Sequence, residues 1–151
     1  MPMLRPSRLL GALLLTLGAV GAPAPAAAQD LGSAIDDVLE WIDEGYDLIP
    51  EMGQWGLAFG WFAEGEDKEL RFTVTAGETY LIAGGGDANS EDLDICVYDE
   101  YGEELACDTA VDNFPIVTFD APRTGTFRAV LRAYSLSGST SYAGMAVLRE
   151  R

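Results

Sequence analysis

Residues 70–83 have the sequence LRFTVTAGETYLIA, in which apolar and polar side chains alternate. Leu70, Phe72 and Val74 would point to one side of an extended chain, and the polar residues between them would point to the other. After a turn at residues 76–78, the apolar run 80–83 continues the extended pattern. Alternation of this kind is typical of strands that bury one face. The segment therefore predicts two strands separated by a turn.

Extended patterns of similar length recur along the rest of the chain, between turns rich in Gly, Pro and Asp. They predict further strands at residues 55–62, 93–98, 105–109, 116–119, 126–134 and 142–148. About eight short strands in a segment of this size favour an all-β fold. We expect an antiparallel β-sandwich with a jelly-roll-like path over residues 54–151.

The segment before the sandwich has the periodicity of a helix. Between Ser33 and Ile49, apolar residues recur at spacings of three and four, and acidic residues occupy other positions. This predicts one amphipathic helix with an acidic outer face within residues 29–53, capped by Ser33 and ended by Pro50 with Gly53. We expect its apolar stripe to pack across an open end or edge of the sandwich, and docking to a partner protein is the alternative.

The first 28 residues have the three parts of a secretory signal peptide. Arg5 and Arg8 precede an apolar run over residues 9–20, and three alanines supply the small residues for cleavage after Ala28. The apolar run is shorter than the ~20 residues that span a bilayer, which disfavours a membrane anchor. We expect an exported protein, periplasmic or extracellular, without stable membrane insertion.

The chain has two cysteines, Cys96 and Cys107. An even number of cysteines in an oxidising compartment favours a disulfide. If Tyr101 and Gly102 form the centre of a β-hairpin turn, residues whose numbers sum to 203 face each other, and the two cysteines satisfy that sum. Gly102 would supply the positive φ that such a turn needs. The sequence therefore predicts a cross-strand disulfide, with two separate thiols as the alternative.

The composition excludes several classes of function. The chain has no histidine, which rules out Ser-His-Asp and Cys-His catalysis and imidazole-ligated zinc. Removal of the signal peptide would leave seven basic residues against 25 acidic ones, a net charge of −18 that repels nucleic acids and anionic lipids. Paired carboxylates are the remaining catalytic chemistry, and small sandwiches rarely carry the deep cleft that such catalysis needs.

The densest acidic cluster is DANSEDLD at residues 87–94, which follows three glycines and enters a predicted strand. Carboxylate, amide and carbonyl oxygens are the ligands that calcium prefers. The candidate calcium ligands in this loop and in the facing hairpin are Asp87, Asn89, Asp92, Asp94, Asp108 and Asp112. Because acidic residues are abundant throughout the chain, a solvated acidic loop without metal is the alternative.

Two tyrosines are candidate binding residues because of their positions in the strand and turn pattern. Tyr98 is on the polar side of its strand, and Tyr101 is at the predicted hairpin tip. Arg128 and Arg132 share one strand face, and we expect them to pair with acidic residues of neighbouring strands rather than to form a ligand site.

Several of these segments occur in the order found in a known module. FTVTAGETY at residues 72–80 is followed by DLDICVYD at 92–99, PIVTF at 115–119 and APRTGTF at 121–127. An Ala-Gly turn, an Asp-Leu-Asp strand, a hairpin and a Thr-Gly-Thr-aromatic turn in this order resemble the bacterial pre-peptidase C-terminal domain. The resemblance implies a non-catalytic β-sandwich of exported proteins that aids secretion, localisation or contact with an insoluble polymer, sometimes with bound calcium. This chain differs in having no protease domain beside the module.

Together these patterns predict a non-enzymatic exported β-sandwich that contacts a protein or polymer outside the cytoplasm, with calcium as its candidate cofactor. A small carboxylate-based hydrolase is one alternative. A structural or inhibitory partner of a secreted protease is another.

Overall fold

The computed structural model describes Asp36 and residues 45–51 and 54–151. Eleven strands account for most of these residues. In chain order they are β1 (Tyr46–Leu48), β2 (Pro50–Glu51), β3 (Gln54–Trp55), β4 (Leu57–Phe62), β5 (Asp67–Val74), β6 (Thr79–Gly86), β7 (Ser90–Tyr98), β8 (Glu104–Asp108), β9 (Ile116–Asp120), β10 (Gly125–Leu136) and β11 (Ser141–Glu150). The eight predicted strands correspond to β4–β11, which confirms the all-β prediction.

Nine of the strands form two antiparallel sheets. Sheet I has the order β1-β11-β6-β9, and β4 pairs with the same edge of β11 as β1 does. Sheet II has the order β5-β10-β7-β8, and β2 pairs with β3 alone. This arrangement confirms the predicted antiparallel sandwich.

The core lies between the two sheets and is built from every second residue of each strand. In β10, the alternate residues from Phe127 to Ala133 are buried, and the residues between them are partly or fully exposed. Tyr80, Phe119 and Phe127 stack across the core, with neighbouring ring centroids 5.8 and 6.1 Å apart. Burial of each large apolar side chain contributes about 1.5–3 kcal/mol, so this layer is the main source of stability.

The two sheets differ on their outer faces. On sheet I, Leu81, Ala83, Ala146 and Leu148 form a second buried apolar cluster. On sheet II, the outward positions of β5, β7 and β10 carry mostly charged and polar side chains, several of them joined by ion pairs. The outer face of sheet II is therefore the polar surface of the sandwich.

The predicted helix is wrong at its C-terminal end. Gly45 has a φ of +102°, in the left-handed region that favours glycine and commonly ends helices. Tyr46–Leu48 then runs antiparallel to β11, with Tyr46 opposite Glu150. Pairing with this distant strand overrides the helical spacing of apolar residues, which continues to Ile49 in the sequence.

The remaining predictions for the N-terminal part concern other residues. Asp36 is helical and exposed. The other residues predicted as helix before Gly45, and the predicted signal peptide at residues 1–28, lie outside the described residues. In the part of the chain that the structure describes, no helix is long and apolar enough to cross a membrane.

Candidate functional site

The β7–β8 hairpin carries the disulfide at the edge of sheet II. Cys96 faces Cys107 and Ile95 faces Asp108, so these pairs sum to 203 as predicted. The predicted turn centre is wrong, because the Gly102 amide donates a hydrogen bond to the Asp99 carbonyl and centres the turn on Glu100 and Tyr101. A register shift between Val97 and Tyr98 restores the predicted pairing. The two cysteines are bonded, with their Cα atoms 4.1 Å apart. Gly102 has the predicted positive φ, +84°. The predicted disulfide is confirmed, and it links the two strands of the hairpin.

Asp99 organises the tip of this hairpin. It is buried, and its Oδ1 accepts hydrogen bonds of 2.8 Å from the backbone amides of Tyr101 and Glu103. Its Oδ2 accepts a hydrogen bond from the Arg123 guanidinium. Burial opposes ionisation, but the amide hydrogen bonds and Arg123 outweigh it and hold the pKa of Asp99 below its ordinary value. Sequence reasoning missed Asp99, although an Asp that opens a hairpin loop is a recognisable turn signal.

The two candidate tyrosines lie where the sequence predicts. Tyr101 is 80% exposed at the hairpin tip, and the Arg123 guanidinium lies 4.7 Å from its ring centroid. Tyr98 is half-buried, and the Arg128 guanidinium lies 4.5 Å from its ring centroid. Each ring therefore already contacts an arginine of the same chain, at a distance typical of a cation–π interaction.

The arginines of β10 are paired with carboxylates, as expected. Arg128 donates a hydrogen bond of 3.2 Å to Glu69, and Arg132 donates two, of 2.7 and 3.1 Å, to Asp67. The other basic residues that follow residue 28 are also in ion pairs. The complete set of paired residues is Lys68, Arg71, Arg123, Arg128, Arg132, Arg149 and Arg151.

Asp87 and Asn89, at the start of the candidate calcium loop, serve the internal structure. Asp87 is buried, and its Oδ1 accepts hydrogen bonds from the Asn89 backbone amide and the Ser141 hydroxyl. Its Oδ2 accepts a hydrogen bond from the Tyr142 backbone amide. The Asn89 side chain donates to the Thr140 carbonyl. These contacts hold the β6–β7 turn against the start of β11.

Asp108 and Asp112 shape the loop between β8 and β9. The two oxygens of Asp108 accept hydrogen bonds from the backbone amides of Ala110 and Ile116. Asp112 Oδ1 accepts a hydrogen bond from the Phe114 backbone amide. Backbone amides thus occupy both oxygens of Asp108 and one oxygen of Asp112.

Asp92 and Asp94, at the start of β7, lie together in a groove of about 370 Å³ that we call the acidic groove. The other residues that line it are Thr109, Val111 and Tyr134. Val111 and Tyr134 are 84% and 62% exposed, so they form the rim of the groove. These two carboxylates are the part of the candidate calcium set that the structure gathers at one open site.

One oxygen of Asp92 has no partner in the described part of the chain. Asp92 is 7% exposed, and this oxygen, Oδ1, is itself buried. Burial raises the pKa of Asp92, and the negative charge of Asp112 raises it further. Burial and the charge of Asp92 also raise the pKa of Asp94, against an opposing effect of Arg132. The acidic groove therefore holds carboxylate charge that the chain neutralises only in part.

The acidic groove is incomplete as a preformed calcium site. Across residues 45–51 and 54–151, the one group of three potential metal ligands within 4.8 Å of one another is Glu104 with the two disulfide sulfurs. Calcium takes six to eight oxygen ligands. A calcium ion in the acidic groove would depend on Asp92, Asp94 and water.

Comparison with known proteins identifies a fold. No protein-family model and no curated protein matches the sequence. The structure is similar to the pre-peptidase C-terminal domain of collagenase from Bacillus anthracis, with 16% identity and a TM-score of 0.50 over 60% of this chain and 86% of that chain. The resemblance predicted from the sequence is thus confirmed at the level of the fold.

The structure is also similar to that of PliG from Aeromonas hydrophila, a periplasmic lysozyme inhibitor of g-type lysozyme. It is 14% identical, with a TM-score of 0.48 over 62% of this chain and 84% of that chain. At such identities, similarity concerns the fold alone.

Proposed function

We propose that this chain is a non-enzymatic accessory module of an exported protein system, and that it binds a cationic ligand in the acidic groove. The observation that carries this proposal is the buried carboxylate of Asp92, which lines an open groove and has an oxygen without a partner among the residues that the structure describes. A cation in the groove would compensate the negative charge of this carboxylate.

Burial of the Asp92 carboxylate has an energetic cost. A buried polar group without a partner destabilises a protein by about 1–3 kcal/mol, and a charged one by more. All seven basic residues that follow residue 28 are paired with other carboxylates. A cation from outside would supply the missing partner, and the net charge of −18 expected for the mature chain would attract it from a distance.

Calcium is the metal ion that we propose for the acidic groove, with Asp92 and Asp94 as its ligands. The test is thermal unfolding of the purified exported protein with its disulfide intact, first in chelator and then in millimolar calcium. Magnesium serves as a control for general charge screening. A ligand present at about a hundred times its Kd stabilises a protein by about 2.7 kcal/mol, which raises the midpoint by several degrees.

Two double variants make this test specific to the groove. Asp92→Asn/Asp94→Asn removes its charge, and Glu103→Gln/Glu104→Gln removes two exposed carboxylates at the opposite end of β7. We expect a calcium-specific rise in the wild type and the control variant, and none in the groove variant. An equal rise with magnesium, or a calcium response that persists in the groove variant, would contradict metal binding at this site.

Export is the second part of the proposal. The disulfide supports an oxidising compartment, and the predicted signal peptide would deliver the chain to the periplasm or the extracellular space. There we expect it to contact a protein or polymer. Mass spectrometry of the protein from extracytoplasmic fractions should find Gln29 as its first residue. Recovery of the uncleaved chain in the cytoplasm would argue against export.

A small carboxylate-based hydrolase predicts a different result. Such an enzyme would turn over glycoside substrates, and Asp92→Asn/Asp94→Asn would abolish that turnover. We expect no turnover above the blank in either protein.

A further inference from the structure

Two arginines of this chain are each held by a carboxylate and a tyrosine ring, on sheet II or in the loops at its end. In both cases the carboxylate accepts a hydrogen bond from the guanidinium, which lies 4.5 or 4.7 Å from the ring centroid. The two sets are Glu69, Arg128 and Tyr98, and Asp99, Arg123 and Tyr101. A guanidinium suits such a site because it is a flat cation with several N–H donors.

The acidic groove contains the same two kinds of group. Asp92 and Asp94 line it, and the Tyr134 ring is exposed at its rim. The Arg132 guanidinium is engaged with Asp67 through both Nε and an Nη atom. In the described part of the chain, Asp92 Oδ1 has no hydrogen-bond donor. The acidic groove thus resembles the two arginine sites with the arginine still to be supplied.

We propose that the acidic groove binds an arginine side chain of a partner protein, an inference that rests on the proposed function of the groove as a cation site. The guanidinium donates hydrogen bonds to Asp92 and Asp94, and the Tyr134 ring covers one of its faces. The aliphatic part of the side chain lies along Val111 and Thr109. The partner is therefore a basic protein segment outside the cytoplasm, with arginine as the residue that enters the groove.

Parts of the acidic groove suit an arginine and would not be used by a metal ion. Asp108 and Asp112 give three of their four carboxylate oxygens to backbone amides, which leaves few ligands for calcium. The exposed ring of Tyr134 and the side chain of Val111 would not contribute to metal coordination. The ring suits the flat cation of an arginine, and the Val111 side chain suits its aliphatic stem. Two adjacent carboxylates match the planar fork of guanidinium donors better than they match the ammonium group of a lysine.

The charge of the whole chain supports a basic partner. With all seven basic residues after residue 28 engaged in ion pairs, neutralisation of the acidic groove depends on a cation from outside. The strongly acidic surface would increase the rate at which a basic protein arrives, and arginine is enriched among the residues that dominate binding energy at interfaces. Because this attraction is electrostatic, binding should weaken as salt concentration rises.

The test uses the peptide acetyl-Ala-Ala-Arg-Ala-Ala-amide as probe. The same peptide with lysine or with citrulline, an uncharged isostere of arginine, at the central position provides the comparison. Binding to the exported protein is followed by ¹H–¹⁵N NMR at low ionic strength in chelator, with the amides of Val111 and Tyr134 as reporters. Calcium without peptide is titrated in a separate sample that contains no chelator.

Three variants accompany the wild type. Asp92→Asn/Asp94→Asn removes the carboxylates, and Tyr134→Ala removes an exposed ring with little risk to the fold. Glu103→Gln/Glu104→Gln is the control for net charge. We expect the arginine peptide to bind about tenfold more tightly than the citrulline peptide and more tightly than the lysine peptide. The groove variant should lose the preference for arginine, and the control variant should keep that preference. Tyr134→Ala should weaken binding of the arginine peptide about threefold.

Each other outcome counts against the inference. Equal binding of the arginine and citrulline peptides, or arginine binding that survives in the groove variant, overturns it. Shifts in the groove with calcium but not with the arginine peptide overturn arginine recognition and leave the groove as a metal site. If neither cation shifts the groove residues, the proposed function fails as well.

Discussion

Replacement of Asp92 by asparagine should make the protein more stable at neutral pH. Most changes to a buried residue destabilise a protein, because they remove contacts or leave a cavity. Asparagine keeps the shape of Asp92 and removes a buried charge whose Oδ1 has no partner within residues 45–51 and 54–151. The substitution therefore relieves a cost of the folded state that the unfolded chain, with its carboxylate in water, does not bear.

The expected gain in the free energy of unfolding is about 1 kcal/mol. A buried polar group without a partner costs about 1–3 kcal/mol and a charged one costs more, and asparagine relieves only the part due to the charge because its own oxygen also lacks a partner. We take the low end of this range because the acidic groove is open to solvent, which screens the charge of Asp92. In a domain of this size, about 1 kcal/mol raises the unfolding midpoint by about 3–5 °C.

The stability gained through Asp92→Asn should depend on pH. Burial and the charge of Asp112 raise the pKa of Asp92 in the folded protein, so ionisation costs the folded state more than the unfolded state. The wild type therefore keeps its full stability below the unfolded pKa of about 3.9 and loses this contribution as the pH rises through the raised pKa. Asparagine does not titrate. The difference between variant and wild type should be small at acidic pH and reach its full value at neutral pH.

Urea or thermal unfolding in chelator, at pH values from about 3.5 to 7.5 across the expected titration, measures this difference. The control is Glu103→Gln, which removes one exposed charge at the hairpin tip and reports the gain from reduced net charge alone. If Asp92→Asn is no more stable than this control at neutral pH, or if its advantage is the same at every pH, the argument from an uncompensated carboxylate is refuted.

Three further changes test other contacts. Loss of the disulfide through Cys96→Ser/Cys107→Ser should lower the free energy of unfolding by about 2–3 kcal/mol, measured by thermal unfolding, because the unfolded chain gains freedom. Asp99→Asn should destabilise the protein at neutral pH and by less as the pH falls below about 4, because a carboxylate with a lowered pKa contributes stability that is lost as it becomes protonated; urea unfolding against pH measures this. Gly144→Ala should cost about 1–3 kcal/mol in the thermal assay, because the added Cβ would lie 2.0 Å from the Phe59 ring. Unchanged midpoints for the first and last, or a pH-independent loss for Asp99→Asn, would contradict the contacts concerned.

The sandwich could be predicted because the residue pattern within each strand indicates an extended chain with one buried face. In β5, β7 and β10 the apolar residues alternate with polar ones, and the structure buries the apolar set between the sheets. The disulfide could be predicted for a similar reason. Gly102 marks the hairpin turn, and the cysteines face each other because a register shift between Val97 and Tyr98 compensates for a turn centred one residue earlier than predicted.

The short strand β1 could not be predicted in this way. Tyr46–Leu48 continues the helical spacing of apolar residues, and its partner on β11 lies about a hundred residues later in the chain. A local pattern does not encode such a distant pairing. Gly45 was the available signal, because a glycine at the end of a helical run commonly adopts the positive φ that ends a helix.

The candidate calcium site shows the same limit. Residues 87–94 are adjacent in sequence, but a turn and a strand send their side chains to different places. Asp87 lies inside the β6–β7 turn, whereas Asp92 and Asp94 are two residues apart on β7 and line the same groove. The period of a strand predicts the second relation. Which oxygens backbone amides would occupy depends on loop geometry that composition does not reveal.

A structural role and a ligand-binding role make opposite predictions for these carboxylates. Asp87 and Asp108 accept hydrogen bonds with both oxygens, so their replacement should destabilise the fold, as expected of groups that hold turns together. Asp92 differs because its Oδ1 has no partner in the described part of the chain. Its replacement should stabilise the protein and abolish cation binding. A group whose removal improves stability and destroys recognition is one whose charge serves a ligand.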